Sequence, residues 1–369
     1  MRVAINCRSF LKKQNTGIGR YSFQLIRHLS RIDPVNQYTL YSPKWFWDRK
    51  RTSPAVPASN FSIQNDPLMR GAQNVLKGID IYHTPTPEIV TMKGAKIVVT
   101  VHDLIHKAYP QGHTPETIRL TEECLQSSLK KADRVICISN STKADLVKYY
   151  SVASDKVKVV YMGVDRGVFY ELSPRERQAA QSVVRSKGID GKYILFIGTI
   201  EPRKNLSNLL KALSILKRKV GSIPKLVVIG MKGWMNADLV LLIKDLDLKE
   251  DIAFLGFLTD DDLRCFYSLA EVFVFPSFYE GFGFPIIEAF SCGAPVVTAN
   301  VSSCAEIAGE AALKVSPDSE AEIADALRRV LEDPALSRAF RVKGLARAKD
   351  FSFTKTAQET LNIYQQLYR

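Results

Sequence analysis

The sequence predicts an α/β protein made of two doubly wound parallel-sheet domains. Three observations carry this. Short apolar runs alternate with amphipathic helical stretches, and the alternation restarts midway. At 369 residues the chain is long for a single core. Glycines recur where an apolar run gives way to a helix, the places where such folds take their ligands.

In the first half, residues 2–7 alternate towards a strand, and the loop 8–19 carries Gly17 and Gly19. A helix is expected from about 20 to 31, with Tyr21, Leu25, Ile26 and Leu29 on one side. Tyr38 to Tyr41 reads as a strand, and residues 42–75 read as irregular, rich in Pro, Ser, Asn and Arg. Ile79 to His83 and Lys96 to Val101 read as buried strands, and a long helix is expected over 115–131. A strand from Arg134 to Ser139, a helix from 141 to 150 and a strand from Val157 to Tyr161 follow.

Asp165, Gly167, Ser173 and Pro174 mark a linker near 165–175, so the expected domains are 1–170 and 171–353. The second half repeats the alternation. Strands are expected at 193–198, 225–230, 252–255 and 272–275, and helices at 205–218, 236–247, 260–268 and from 285. Pro295 to Val297 is the last clear strand, and 354–368 reads as a final helix with Leu361, Tyr364 and Leu367 on one stripe.

Composition excludes several classes. Six cysteines without Cys-x-x-Cys spacing argue against a disulfide frame or a zinc site and for a reducing compartment. The first residues turn polar too soon for a signal peptide, and no apolar run reaches the 18 or so residues of a spanning helix. A cytoplasmic place is therefore expected. The net charge of +13 is uneven: residues 1–170 hold 25 Lys and Arg against 13 Asp and Glu, while residues 171–369 hold 26 against 25. The basic half suits an anionic partner. Trp45 and Trp47, set among Lys44, Arg49, Lys50 and Arg51, suit an anionic membrane face, peripheral on its inner side. The competing account is a solvated basic surface with the aromatics packed inside. Nucleic acid is disfavoured, since no such motif accompanies the charge.

The chemistry concentrates at strand ends. Arg203 and Lys204 follow the run Gly198-Thr199-Ile200-Glu201-Pro202, where adjacent cations can neutralise a diphosphate. Glu280 and Glu288 stand eight apart in Phe-Tyr-Glu-Gly-Phe-Gly-Phe-Pro-Ile-Ile-Glu, after the strand-like Val272 to Phe275. Gly281 and Gly283 permit close approach of a ligand to the backbone, and Pro285 suits a helix start whose free N–H groups favour anions. His102 and Asp103 end a buried strand. Asp260, Asp261 and Asp262 follow Thr259, which reads as a capped helix start and not a metal site; no metal is expected.

These segments together resemble the group 1 (family four) retaining glycosyltransferases. The carriers are the E-x7-E pair Glu280 and Glu288, the turn from Gly198 to Asn205, Val101-His102-Asp103, Gly17-Ile18-Gly19-Arg20 and Ser302-Ser303-Cys304-Ala305-Glu306, in the family's order. Alanine stands before Glu306, where the family usually has proline. The resemblance implies the GT-B architecture, two Rossmann-like domains facing across a cleft, with the helix about 354–369 packing back on the N-terminal domain. It implies transfer of a hexose from a nucleotide diphosphate sugar to a hydroxyl, with no metal and no cofactor, and with closure excluding water. His102, Asp103 and Glu280 would act at the donor sugar, and Glu288 would hold the ribose. Gly17, Gly19, Arg203, Lys204, Gly230, Lys232, Phe257, Leu258, Gly281, Phe282 and Gly283 would complete the donor site. The wording of the His102 and Gly198 segments is like that of bacterial mannosyltransferases, which points to GDP-mannose as donor and to a saccharide or lipid-linked saccharide as acceptor. A non-hydrolysing nucleotide-sugar epimerase of the same architecture is the alternative, and a non-catalytic nucleotide-sugar binding subunit is a third reading.

Overall fold

The computed structural model describes residues 1–8, 17–43, 58–90, 92–231, 233 and 237–369. The chain divides into two units, Met1–Gly163 with Ser352–Arg369, and Val164–Phe351. The division falls earlier than residue 170, because Val164, Phe169 and Leu172 are buried in the second unit. Arg264 Nη1 holds the carbonyl of Val168 at 2.9 Å, and the Phe169 ring meets Tyr267 edge-on.

In the first unit, β1 (Arg2–Asn6), β2 (Gln37–Pro43), β3 (Phe61–Asp66), β4 (Ile81–Thr84), β5 (Lys96–Val101), β6 (Arg134–Cys137) and β7 (Val157–Val159) form one sheet. Its order is β3-β2-β1-β4-β5-β6-β7, and every pair is parallel. The order reverses between β1 and β4, where Ile5 stands beside His83. A parallel sheet is covered on both faces, so β5 is buried at every position after Lys96. The helix Gly17–Ile32 packs against the last helix, Phe353–Tyr368. His28 Nδ1 and Thr354 Oγ1 lie 3.0 Å apart across that contact.

The strand β3 falls inside the stretch expected to be irregular. Only its two end residues are buried, as suits an edge strand, so its sequence carries almost no apolar period. The first helix begins at Gly17, not near residue 20, so Gly17 and Gly19 belong to its first turn. The stretch from Lys44 to Arg51 and Lys232 lie outside the described residues. Among the described residues no helix is long and apolar enough to cross a membrane.

The second unit contains β8 (Tyr193–Ile197), β9 (Lys225–Ile229), β10 (Ile252–Gly256), β11 (Val272–Phe275), β12 (Val296–Ala299) and β13 (Leu313–Val315). They form a parallel sheet in the order β10-β9-β8-β11-β12-β13, which reverses between β8 and β11. Leu209, Leu210 and Leu213 of the helix Leu206–Val220 pack on Ile194 and Val228. A further strand, β13, follows the one taken as last; at three residues it is too short to show a period. The helix Pro174–Ser186 opens with a capping box between Ser173 and Glu176. The fold is that of the GT-B proteins, two parallel α/β sheets in one chain.

Candidate functional site

The carboxyl end of β8 turns through Gly198 into a short 3-10 turn, Pro202–Lys204, and Asn205 then starts the next helix. Asn205 is left-handed, with φ of 62°, and buried. Its Nδ2 donates to the carbonyls of Pro276 (3.0 Å) and Pro317 (2.6 Å), fastening this turn to the loops after β11 and β13. The loop after β11 is tied on by Phe278 N–H, which donates to Arg203 O at 2.9 Å, and by Arg203 Nη1, which donates to Tyr279 O at 2.7 Å.

These ties place both cations on one carboxylate. Lys204 Nζ lies 2.6 Å and Arg203 Nη1 2.8 Å from Glu280 Oε1. Arg203 also pairs with Glu201, and Lys204 Nζ stands 5.0 Å over the Phe275 ring. Glu280 is only 9% exposed. Burial pushes its carboxyl up, but the charges of Lys204 and Arg203 outweigh burial and hold it below the usual carboxylate range. The shared carboxylate also offsets the repulsion between two adjacent cations. Ser302 Oγ accepts the Glu280 N–H at 3.1 Å, and Ser303 Oγ donates to the Glu280 carbonyl at 2.8 Å, so the backbone of Glu280 is clamped as well.

The glycines line the edge of the same sheet. Gly198 N–H donates to Ile229 O at 2.9 Å, and Gly230 N–H to Gly256 O at 2.8 Å, across β8, β9 and β10. Gly230 has φ of 150°, and a Cβ there would lie 2.1 Å from the Gly198 carbonyl oxygen, so only glycine fits. A cavity of about 390 Å³ opens beside Glu201, Pro202 and Leu206. Leu258 is buried, whereas Phe257 is 76% exposed.

The segment after Glu280 is bent by Gly283, at φ of 100°, which caps the helix Phe284–Ser291. Pro285 takes the second helical position there, not the first. Gly281 is half-buried. The Phe282 ring is buried against Phe284 and Phe351, so only the backbone of Phe282 can be offered to a ligand. Glu288 is buried in that helix and accepts from Tyr267 Oη at 3.1 Å. The acidic residues at 260–262 open a helix capped by Thr259, whose Oγ1 accepts the Asp262 N–H at 3.2 Å.

In the first unit His102 and Asp103 follow β5 and border a cavity of about 310 Å³ with Ile18, Thr86 and Pro87. His102 Nε2 stands 2.8 Å from Pro85 O. A carbonyl only accepts, so Nε2 carries the proton and Nδ1 of the neutral ring is the acceptor. Burial lowers the His102 pKa, although the Pro85 contact and the Asp103 charge pull the other way. The Tyr21 ring meets the His102 ring edge-on at 5.0 Å, and Asp103 Oδ1 accepts the Ile105 N–H at 3.1 Å. Gly17 is exposed and Gly19 buried in the turn that carries Ile18.

The family profile described as "Glycosyl transferases group 1" matches residues 179–347, and that described as "Glycosyltransferase Family 4" matches residues 15–167. The chain belongs to the group 1, family 4 glycosyltransferases. The transferase is 29% identical over 377 residues to the O-antigen chain mannosyltransferase B of Escherichia coli, covering 97% of this chain and 98% of that one. It is 30% identical over 243 residues to the serotype-specific mannosyltransferase WbdA of Escherichia coli; that match covers 65% of this chain and only 30% of the relative. Sucrose-phosphate synthase from Thermosynechococcus elongatus shares the fold, with a TM-score of 0.76 at 21% identity, over 100% of this chain and 99% of that one.

Sequence reasoning picked out Arg203, Lys204 and Glu280 in this transferase, but not the residues that hold them. Asn205, Ser302 and Ser303 lay inside quoted motifs, and an asparagine or serine at a helix start was the available signal. Tyr267, partner of Glu288, gave no signal, because its helix reads as ordinary core.

Proposed function

We propose that the chain transfers mannose from GDP-mannose to a hydroxyl of a saccharide acceptor in cell-surface polysaccharide or glycolipid synthesis, with retention at the anomeric carbon. The observation that carries the reading is the convergence of Lys204 and Arg203 beyond β8, at the reversal point of the second sheet. Two fixed cations there suit a departing diphosphate, and arginine can grip it with a planar fork. The choice of mannose is supported by the relative matched over its full length, itself described as a mannosyltransferase.

In this reading the bond from C1 of the sugar to the diphosphate oxygen breaks, and a bond from the acceptor oxygen to C1 forms on the same face. The acceptor's proton passes to the departing phosphate oxygen, so charge and atoms balance without a separate base. Glu280 meets the donor sugar, Glu288 holds the ribose hydroxyls, and Gly230, Leu258 and the glycine turn at 281–283 approach the nucleotide. His102 and Asp103 serve the sugar. The positive side chains do the work of a metal, and no cofactor takes part.

A thermal-shift panel of nucleoside diphosphates tests the donor, since a ligand of the folded state raises apparent stability with the logarithm of its concentration. GDP should exceed UDP and ADP; equal shifts would remove the choice of base. Proton NMR of the product should show the donor's anomeric configuration, and an inverted product would end the retaining mechanism. Donor incubated without acceptor should give no epimer; a C2 epimer would favour the epimerase alternative. The basic excess of residues 1–170 further suggests a lipid-borne acceptor at an anionic membrane face. Co-sedimentation with anionic but not neutral vesicles at low salt is expected, and equal recovery in the supernatant would end that part of the reading.

A further inference from the structure

The reversal point of the first sheet carries a carboxyl outside the donor constellation. Glu88 lies beyond β4, and its two oxygens join the two strands that flank the reversal. Oε2 accepts from Asn6 Nδ2, at the end of β1, at 2.6 Å, and Oε1 accepts from Tyr82 Oη, in β4, at 2.7 Å. Its backbone is pinned to the helix Pro115–Lys131: Glu88 N–H donates to Ser128 Oγ at 2.9 Å, and Ser128 Oγ donates back to Glu88 O at 2.8 Å. Thr86 and Pro87, just before it, border the cavity of His102 and Asp103, and Glu88 itself is half-buried.

In open parallel α/β sheets, ligands sit beyond the carboxyl ends of the strands at the reversal point. A carboxylate offers about four acceptor sites, and the hydrogen bonds from Asn6, Tyr82 and Thr84 leave room for a further one. We infer that Glu88 is the acceptor-facing carboxyl of the first unit and accepts a hydrogen bond from a hydroxyl of the acceptor sugar; the inference rests on the sugar-transfer reading above.

The surroundings make this carboxyl sensitive to pH. Burial pushes it up, Tyr82, the Arg8 charge and Asn6 pull it partly back, and it settles at about 7. Tyr82, Tyr41, Cys124 and the cation Arg8 are the charged or titratable groups that act with it, and His102 and Asp103 border the adjoining cavity. Burial raises Tyr82 and Tyr41 above their ordinary value, and raises Cys124 on the facing helix. The ionised form accepts a hydroxyl more strongly, so acceptor affinity should rise with pH through neutrality.

The test uses the full chain and methyl α-mannopyranoside as probe. Its affinity is followed by saturation-transfer NMR from pH 5.5 to 8.5 in wild type, Glu88→Gln and Tyr82→Phe, with GDP affinity measured in parallel by calorimetry. Glu88→Gln should bind the glycoside at least about tenfold more weakly at pH 8 and lose the pH dependence, with GDP affinity intact. Tyr82→Phe keeps the carboxylate but removes a hydrogen bond that favours its ionised form, so the midpoint should move to higher pH. Unchanged glycoside affinity in Glu88→Gln, a pH dependence that survives in that variant, or no glycoside binding by wild type would each overturn the inference. A wild-type chain that binds the glycoside but not GDP would sink the donor reading instead, while the Glu88→Gln comparison still decides the role of Glu88.

Discussion

Glu88 and Glu280 occupy matching places, Glu88 beyond the strands flanking the reversal of the first sheet and Glu280 beyond those flanking the reversal of the second. Their partners differ. Glu88 is held by neutral donors, an amide and a phenol, and burial carries it up to about 7. Glu280 is held by Lys204 and Arg203, which overcome its burial and carry it down. The same side chain on the same kind of scaffold thus becomes a group that changes charge near neutrality or one that stays ionised. The strength of the cationic contact decides which: Lys204 and Arg203, both within hydrogen-bond distance of Glu280, outweigh its desolvation, whereas the neutral donors on Glu88 and the Arg8 charge together do not.

The largest effect should come from stripping the second site of its cations. Arg203→Ala and Lys204→Ala together leave Glu280 buried without a counter-charge. Losing a buried partner costs about 3–5 kcal/mol, read by urea denaturation. The Glu280 pKa should then rise above the ordinary carboxylate value, towards the behaviour of Glu88. Each single variant should weaken GDP binding or slow transfer by about 1.5–3 kcal/mol, roughly tenfold or more. Wild-type GDP affinity and transfer rate in both single variants would break the phosphate assignment.

The pH dependence of stability should differ in sign between the two sites. Glu88 binds its proton more tightly when folded, so its stabilisation is full below its ordinary 4.5 and is lost as pH rises through about 7. That loss is on the order of 3 kcal/mol. Glu280 has a lowered pKa, so its contribution is present above the ordinary carboxylate range and lost as pH falls through the lowered value. Urea denaturation of wild type and Glu88→Gln from pH 4 to 8 would separate them: the variant should lack the loss between 4.5 and 7. Parallel curves would refute the neutral-donor account of Glu88.

A smaller effect tests the glycine edge of the second sheet. Gly230→Ala should cost about 1–3 kcal/mol, since the added Cβ meets backbone that cannot rotate away. Gly112→Ala in the first unit, with no other atom within 4 Å of the added Cβ, is the control and should be near neutral. Equal stability of the two variants in denaturation would show that the strand edge relaxes freely. The smallest expected effect is of chelation: EDTA should leave transfer unchanged, because Arg203 and Lys204 supply the positive charge. Loss of activity restored by manganese would overturn that and reopen the acidic run at 260–262.

The sequence by itself determined what depends on local pattern. Apolar runs such as Lys96 to Val101 and Val272 to Phe275 gave the buried strands, since a parallel sheet covered on both faces needs unbroken apolar stretches. Arg203, Lys204 and Glu280 could be singled out because charged residues directly after such strands are rarely mere core. The edge strand β3 escaped, because its exposed positions leave it without a period. Asn205 and the pair Ser302 and Ser303 lay within recognisable segments, yet their partners are far along the chain, at Pro317 and Glu280. Glu88 gave no signal at all, since Thr-Pro-Thr-Pro-Glu reads as an ordinary loop. Tertiary structure alone decided that Asn6 and Tyr82, far apart in sequence, meet on its two oxygens. Strand order is a long-range property, and the reversal between β1 and β4 is what turns a loop glutamate into a half-buried carboxyl raised to about 7.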